Sequence, residues 1–151
     1  MRAQFASASR RRTDGFTLCE LSVVLVVVAV LVALSLPSLR SAVQRARRAD
    51  AHVALTQLQL AQERHRSNHP SYASLADLSW PASTAEGHYR LSVSNATAQG
   101  YVVDATAVGL QAGNVACRRL RVVVDGLNTR LTSGPDHSDN AEAVNRACWS
   151  R

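Results

Sequence analysis

Glu20 is the one charge inside a long apolar run, and its position there requires a chemical explanation. The run GFTLCELSVVLVVVAVLVALSLP spans Gly15 to Pro37 and contains no other charged residue. A charged side chain at the centre of a bilayer costs roughly 3 kcal/mol on insertion scales, so such residues usually have a partner or a function. We therefore expect Glu20 to meet a cationic partner. In an ordinary single-pass anchor, Glu20 would instead lie near the membrane surface.

The three cysteines divide between two chemical settings. Cys19 lies within the apolar run, whereas Cys117 and Cys148 lie in the polar half of the chain. Two cysteines beyond a membrane segment indicate an exported, oxidising compartment and one disulfide. Two free thiols are the alternative at this point.

The sequence contains no motif for catalysis or for metal binding. It has no CxxC or HExxH pattern, no phosphate-binding loop and no nucleophile elbow. The histidines are scattered without the spacing of metal ligands, at His52, His65, His69, His88 and His137. We predict that the protein is not an enzyme and that it has no metal site and no cofactor.

Four arginines near the third predicted strand could contact nucleic-acid phosphates. They are Arg118, Arg119, Arg121 and Arg130. The formal net charge of +6 argues against this, because the first 15 residues hold four arginines and one aspartate and leave only about +3 elsewhere. We interpret the four arginines as a solvated strand face. DNA binding by the isolated head, with a steep salt dependence, is the alternative.

These residues must be positioned by three consecutive parts of the chain. Residues 1–15 are basic and form a predicted cleaved leader. Residues 16–66 contain no glycine and a single proline, Pro37, so we predict one long helix whose transmembrane segment is 16–36. Pro37 removes a backbone hydrogen bond and is predicted to kink this helix. A secretory signal peptide that is cut near Ala33-Leu34-Ser35 is the alternative.

The second half of the predicted helix is amphipathic and should cover a sheet. Its apolar stripe is predicted at Leu39, Val43, Ala46, Val53, Ala54, Leu58 and Ala61. Arg40, Gln44, Arg47 and Arg48 are predicted to lie largely elsewhere.

Three segments alternate between apolar and polar residues as half-buried strands do, at 88–94, 100–108 and 119–126. They predict an antiparallel meander with one buried face, and the helix stripe is its natural cover. The predicted fold class is therefore α+β, with a long N-terminal helix packed on a small antiparallel sheet. Residues 67–151 form the globular head, and its C-terminal tail is predicted to be a surface loop.

Several of these segments resemble one protein family. The motif GFTLCE after a basic leader, the proline that ends the apolar run, and RARRADAHVALTQLQLAQERHRSNHPSYA are similar to type IV pilins, most of all to minor pilins of the type IVa class. The resemblance implies a pilin-like fold and a C-terminal loop closed by Cys117 and Cys148. Cys19 departs from the family, in which aliphatic residues are usual at that position.

The resemblance also implies roles for individual residues. A membrane peptidase would cut after Gly15, and the new N-terminal residue, Phe16, would be N-methylated. Glu20 matches the family's assembly glutamate, and Pro37 matches its helix-kinking proline. The amine of Phe16 in one subunit would then pair with Glu20 of a neighbour, which answers the need for a cationic partner and selects the register of assembly.

The implied function is that of a structural subunit, most like a minor pilin, of a type IV pilus. Its expected partners are other pilin subunits, the prepilin peptidase, the pilus assembly machinery of the bacterial inner membrane, and lipid before assembly. The head would be periplasmic and then exposed on an extracellular pilus that serves motility or adhesion. Three alternatives stay open: a pseudopilin of a type II secretion system, a DNA-uptake pilin, and a tethered periplasmic binding domain in which Glu20 is dispensable.

Overall fold

A computed structural model of the chain describes residues 16–136 and 138–150, with the backbone alone at residues 36 and 37. The order of elements confirms the predicted α+β class. The elements are α1 (Leu18–Arg66), β1 (Tyr89–Ser94), β2 (Gly100–Ala107), two short 3-10 helices (Gly109–Gly113 and Val115–Cys117), β3 (Arg119–Asp125), β4 (Asn128–Gly134) and α2 (Glu142–Trp149). The chain divides into two compact units, one that ends at Leu39 and one that begins at Arg40.

The first unit consists of the N-terminal part of α1. Its described side chains are exposed, and Phe16 is 81% exposed. Within α1, an 18-residue window has a mean hydropathy of 2.7 and none of it is buried, so by length and composition this helix can cross a membrane. The boundaries 16–36 for the transmembrane segment stay a prediction.

The second unit is built around a four-stranded antiparallel sheet in the order β1-β2-β3-β4. The register sets Val103 opposite Val122, and Val122 opposite Leu131. The inner face of the sheet packs with α1 in one buried core of Ala51, Ala54, Leu55, Leu58, Tyr89, Leu91, Tyr101, Val103, Ala105, Ala107, Leu120, Val122 and Val124. The three predicted strands and their buried alternation are therefore confirmed.

The face of α1 that meets the sheet differs from the predicted stripe. Of the predicted residues, Ala54 and Leu58 are buried and Ala61 is half-buried, whereas Leu39, Val43, Ala46 and Val53 are exposed. Two neighbouring faces of this helix carry apolar residues, so the pattern could not decide which face packs. The buried positions also include two polar residues, Arg48 and Gln62. Arg48 was predicted to face away from the core, but it lies inside and donates to the Ala147 carbonyl at 3.3 Å.

The prediction of a loop for the C-terminal tail was wrong, because the tail contains β4 and α2. β4 has one large apolar residue, Leu131, and therefore shows no alternation. It pairs with β3 through the backbone after a two-residue turn, in which Gly126 has a φ of +57°. The short helix α2 carries the buried Cys148, which is bonded to Cys117.

Candidate nucleic-acid interface

The face of the sheet that points away from α1 is polar, and we call it the outer face. Strand pairing arranges its side chains in rows, with Arg90 opposite Thr106, Asp104 opposite Arg121, and Val123 opposite Arg130. Residues directly opposite each other in an antiparallel sheet have Cβ atoms about 5 Å apart and interact. The outer face thus consists of Arg90, Ser92, Ser94, Val102, Asp104, Thr106, Arg119, Arg121, Val123, Asp125, Arg130 and Thr132.

A bidentate ion pair lies at the centre of the outer face. Arg121 donates from Nε to Asp104 Oδ1 at 2.7 Å and from Nη2 to Asp104 Oδ2 at 2.8 Å. These hydrogen bonds raise the pKa of Arg121 above its ordinary value. The side chain of Asp104 is 14% exposed and that of Arg121 is 31% exposed, so both can still be reached from solvent.

Two further predicted arginines bind the loop that follows β4. Arg119 is 6% exposed at its side chain and donates from Nη2 to Asp139 Oδ1 at 2.7 Å. Arg118 donates to Asp136 Oδ1 at 3.2 Å and to the Ala112 carbonyl at 3.1 Å. The interpretation of all four arginines as a solvated strand face was therefore wrong for the buried Arg119.

Two cations of the outer face stay available for a ligand. Arg90 on β1 and Arg130 on β4 are exposed, and neither forms an ion pair with the residues that the structure describes. They lie on opposite edge strands, three strand spacings apart and offset by four residues along the strands, which places them about 20 Å from each other. A groove of about 320 Å³ on this face is lined by Ser92, Asp104, Thr106, Arg119, Arg121, Pro135 and Asp136.

The charges of this surface nearly cancel. Five arginines (90, 118, 119, 121 and 130) are set against four aspartates (104, 125, 136 and 139). Arginine and aspartate are also side chains that hydrogen-bond to base edges, arginine to guanine and aspartate to the amino group of cytosine. The outer face therefore combines two exposed cations at its edges with an arginine–aspartate pair between them.

Sequence reasoning missed Arg90 and the aspartates on this surface. Side chains alternate between the two faces along β2, so Asp104 faces outward next to the buried Val103. The outward position of Asp104 could therefore be predicted. Its pairing with Arg121 depends on the register between strands, and Asp136 and Asp139 lie in a segment without periodicity.

The residues predicted for processing and assembly lie near the N-terminus. Gly15 is outside the described residues. Phe16 and Glu20 are exposed, and Thr17 Oγ1 accepts a hydrogen bond from the Glu20 backbone N–H at 3.2 Å. Thr17-Leu18-Cys19-Glu20 also fits the capping-box pattern, which the sequence analysis missed. α1 continues through Pro37, and the kink there stays a prediction.

The cysteines occupy different surroundings. Cys117 and Cys148 form a disulfide with a Cα–Cα distance of 5.5 Å. Cys19 is a free and exposed cysteine. Among the described residues, no group of three or more histidine, cysteine, aspartate or glutamate side chains could hold a metal ion.

The helix, the sheet and the disulfide together define a class of protein. A long N-terminal helix with an apolar beginning, an antiparallel sheet packed on its second part, and a disulfide that closes the C-terminal segment are the architecture of a type IV pilin. A family model described as "Type IV minor pilin ComP, DNA uptake sequence receptor" matches residues 37–121. The match covers more than half of the chain, so the protein belongs to the ComP family of type IV minor pilins.

This membership confirms the resemblance to type IV minor pilins and the prediction that the protein is not an enzyme. A comparison with curated proteins found no match. The family match extends from Pro37 in α1 to Arg121 in β3 and therefore includes Arg90, Asp104 and Arg121 of the outer face.

Proposed function

We propose that this protein is a DNA-uptake receptor that binds duplex DNA through the outer face of its sheet. The observation that carries the proposal is the match to a family of DNA uptake sequence receptors. The sequence analysis preferred a pilus subunit without a DNA role, and the match favours the alternative that it kept. It also favours a pilus component over a pseudopilin of a secretion system.

Each part of the outer face would have a distinct task. Arg90 and Arg130 are exposed cations at the edges, so they would contact phosphates and orient the duplex. Arg121 and Asp104 lie between them and would contact base edges, where one good bidentate contact discriminates by about 1–3 kcal/mol. Non-specific DNA binding grows with the number of phosphates neutralised, so a nearly neutral surface suits a receptor that selects one sequence from bulk DNA.

Sequence selection by the full-length protein in detergent micelles would test this function. The protein is incubated with a pool of duplexes that carry a random central segment, and the bound fraction is sequenced through several rounds. We expect one short sequence to be enriched, and a shuffled duplex of the same composition to compete poorly. Retention of the pool without enrichment, or no retention at low salt, would contradict the proposal.

The remaining predictions concern the path to the filament. We propose that a peptidase cuts after Gly15, that Phe16 is N-methylated, and that the subunit waits in the inner membrane with a periplasmic head before it joins other pilins in a pilus. The apolar beginning of α1 supports the membrane stage. Intact and peptide mass spectrometry on protein from the native host tests the cleavage, because the mature chain should begin at methylated Phe16. Motility and adhesion stay predictions.

A further inference from the structure

A basic segment of α1 follows the apolar run directly and has no part in the outer face. Residues 40–48 contain four arginines, and no acidic residue occurs between Glu20 and Asp50. Arg40 and Arg45 are exposed and Arg47 is half-buried. We call these three residues the basic segment. The fourth arginine, Arg48, is excluded because it is buried and donates to a backbone carbonyl.

The charges of the basic segment are not balanced by the protein. None of its three arginines forms an ion pair with the residues that the structure describes, and Arg45 Nη1 donates a hydrogen bond to Ser41 Oγ at 3.4 Å. Solvated helix faces usually pair opposite charges four residues apart. No position four residues before or after these arginines holds a carboxylate, and at a spacing of three only Asp50 lies next to one of them, Arg47.

The nearest acidic residue along the chain already has other partners. Asp50 accepts hydrogen bonds from Thr84 Oγ1 at 2.5 Å and from the backbone N–H groups of Glu86 and His88, both at 3.3 Å. Glu86 lies with Arg47 and Asp50 along one surface hollow. The three arginines therefore outnumber these two carboxylates.

The basic segment is placed where a membrane surface would be. Arg40 lies four residues beyond Leu36, so it is within about 14 Å of the end of the apolar run in any backbone conformation. From Arg40 to Arg47 the helix rises about 10 Å. The headgroup layer adds about 5–8 Å on each side of the hydrocarbon core. Long arginine side chains shorten the remaining distance to the headgroups, most easily for Arg40.

Membrane topology does not account for these charges. Arginines on the flank that is exported oppose the positive-inside preference, so they disfavour the orientation in which the head is periplasmic. A basic flank on that side therefore needs another role. Arginine binds phosphate groups in bidentate geometry, and phosphates are the anions at a lipid surface.

We propose that Arg40, Arg45 and Arg47 bind the phosphate groups of anionic phospholipids in the leaflet that faces the head. This site holds the subunit in the membrane before assembly, and it is separate from the outer face because α1 packs on the inner face of the sheet. The inference rests on insertion of the apolar run into a membrane. It does not depend on DNA binding.

Native mass spectrometry of the full chain tests this proposal. The protein is released from micelles doped with equal amounts of phosphatidylglycerol and phosphatidylcholine, and the bound lipids are counted. We expect the wild type to retain phosphatidylglycerol preferentially. Each arginine near an anionic surface contributes about a fivefold preference, so a triple variant with Arg40→Gln, Arg45→Gln and Arg47→Gln should lose most of it.

Two comparisons separate lipid binding from folding and from DNA binding. A variant with Arg90→Gln and Arg130→Gln, which alters the outer face, should keep the preference for phosphatidylglycerol. The triple variant should unfold at the same temperature as the wild type and bind DNA as tightly. The proposal is overturned if the triple variant retains phosphatidylglycerol as the wild type does, if the wild type shows no preference, or if the triple variant loses DNA binding while its lipid preference persists.

Discussion

Two buried tyrosines show how much a single hydroxyl group matters in this core. Tyr89 and Tyr101 are 0% and 2% exposed. Tyr89 Oη accepts a hydrogen bond from Gln111 Nε2 at 2.9 Å, whereas Tyr101 Oη is buried without a partner among the described residues. Burial raises the pKa of both phenols above the ordinary value. The hydroxyl of Tyr101 therefore carries a desolvation cost that no hydrogen bond offsets.

Replacing each tyrosine by phenylalanine should affect the free energy of unfolding differently. Tyr101→Phe removes an unsatisfied group and should leave the free energy of unfolding unchanged or raise it. Tyr89→Phe leaves Gln111 without that acceptor and should lower the free energy of unfolding by about 1 kcal/mol. Urea unfolding of the full chain in detergent measures both. A larger loss of unfolding free energy for Tyr101→Phe than for Tyr89→Phe would contradict the conclusion that the Tyr101 hydroxyl has no hydrogen-bond partner.

Asp77 is a residue whose titration reports on local structure. Its carboxylate accepts hydrogen bonds from Ser74 Oγ at 2.6 Å and from the Ser74 backbone N–H at 3.1 Å, and these bonds lower the pKa of Asp77. A lowered pKa means that this contribution to stability is present above the ordinary carboxyl pKa. It is lost as the pH falls through the lowered value.

Ser74→Ala should therefore raise the pKa of Asp77 toward the ordinary value of about 3.9. An NMR titration of the Asp77 carboxyl carbon measures the change. Ser71→Ala serves as the control, because Ser71 makes no hydrogen bond to Asp77 in the structure. An Asp77 pKa that is equal in the wild type and in Ser74→Ala would show that the hydrogen bond from the Ser74 hydroxyl does not form in solution.

At the scale of elements, polar side chains on α1 hold the loops of the head in place. Gln62 is fully buried, and its side-chain amide donates to the Ala73 carbonyl at 2.6 Å and accepts from the Ala73 N–H at 2.9 Å. Asp50 holds the segment around Thr84 in a similar way. From sequence alone, both polar residues would be placed on the solvent-exposed side of an amphipathic helix. Their hydrogen-bond partners are distant in sequence, so the sequence does not indicate them.

Features that depend on local sequence could be predicted, whereas features that depend on contacts between distant residues could not. The long helix and the first three strands follow from local periodicity, because each side chain's environment repeats with the element. β4 has no such repeat and is stabilised by its pairing with β3, and α2 is held by the disulfide. In the candidate site, Arg118, Arg119, Arg121 and Arg130 were found from their charge, whereas Arg90 was missed. Their aspartate partners depend on strand register and on a loop.

The C-terminal segment protects the open edge of the sheet. Asn145 Nδ2 donates to the Leu131 carbonyl at 2.9 Å, and Trp149 Nε1 donates to the Thr132 carbonyl at 3.2 Å. Thus α2 satisfies the outward carbonyl of Leu131 on the edge strand β4, which would otherwise offer pairing to another chain.

Removing the disulfide should loosen the packing of α2 against β4. The two cysteines are 31 residues apart, and the chain-entropy model gives about 3.7 kcal/mol for a loop of this length. A variant with Cys117→Ser and Cys148→Ser should lose about that much free energy of unfolding, measured by urea unfolding. Cys19→Ser is the control and should change nothing. If a reductant lowers the stability of the double variant as much as that of the wild type, the disulfide does not account for the loss of stability.

At the scale of the whole molecule, Glu20 links helix structure to assembly. Its backbone N–H is capped by Thr17, so a change at Glu20 can act through the helix end or through the charge. Glutamine also fits the capping box, and Glu20→Gln therefore removes the charge while the cap is retained.

We predict that Glu20→Gln inserts into the membrane normally and is excluded from pili, because the amine of a neighbouring Phe16 would have no carboxylate partner. Immunoblots of membranes and of sheared pili from the native host measure membrane insertion and incorporation into pili, respectively. Thr17→Ala is the matched control, since it weakens the cap and keeps the charge, and it should still assemble. Glu20→Gln subunits in pili at the wild-type level would refute the pairing.

The salt dependence of DNA binding by the full-length protein is the most direct measurement of the proposed receptor function. The logarithm of the binding constant is plotted against the logarithm of the salt concentration for the wild type, for Arg90→Gln with Arg130→Gln, and for Arg45→Gln on the opposite side of the head. Each lost phosphate contact reduces the slope by about 0.9. We predict a slope that is shallower by about 2 for the double variant and unchanged for Arg45→Gln. Equal slopes for all three proteins, or no binding by the wild type, would contradict DNA recognition by the outer face.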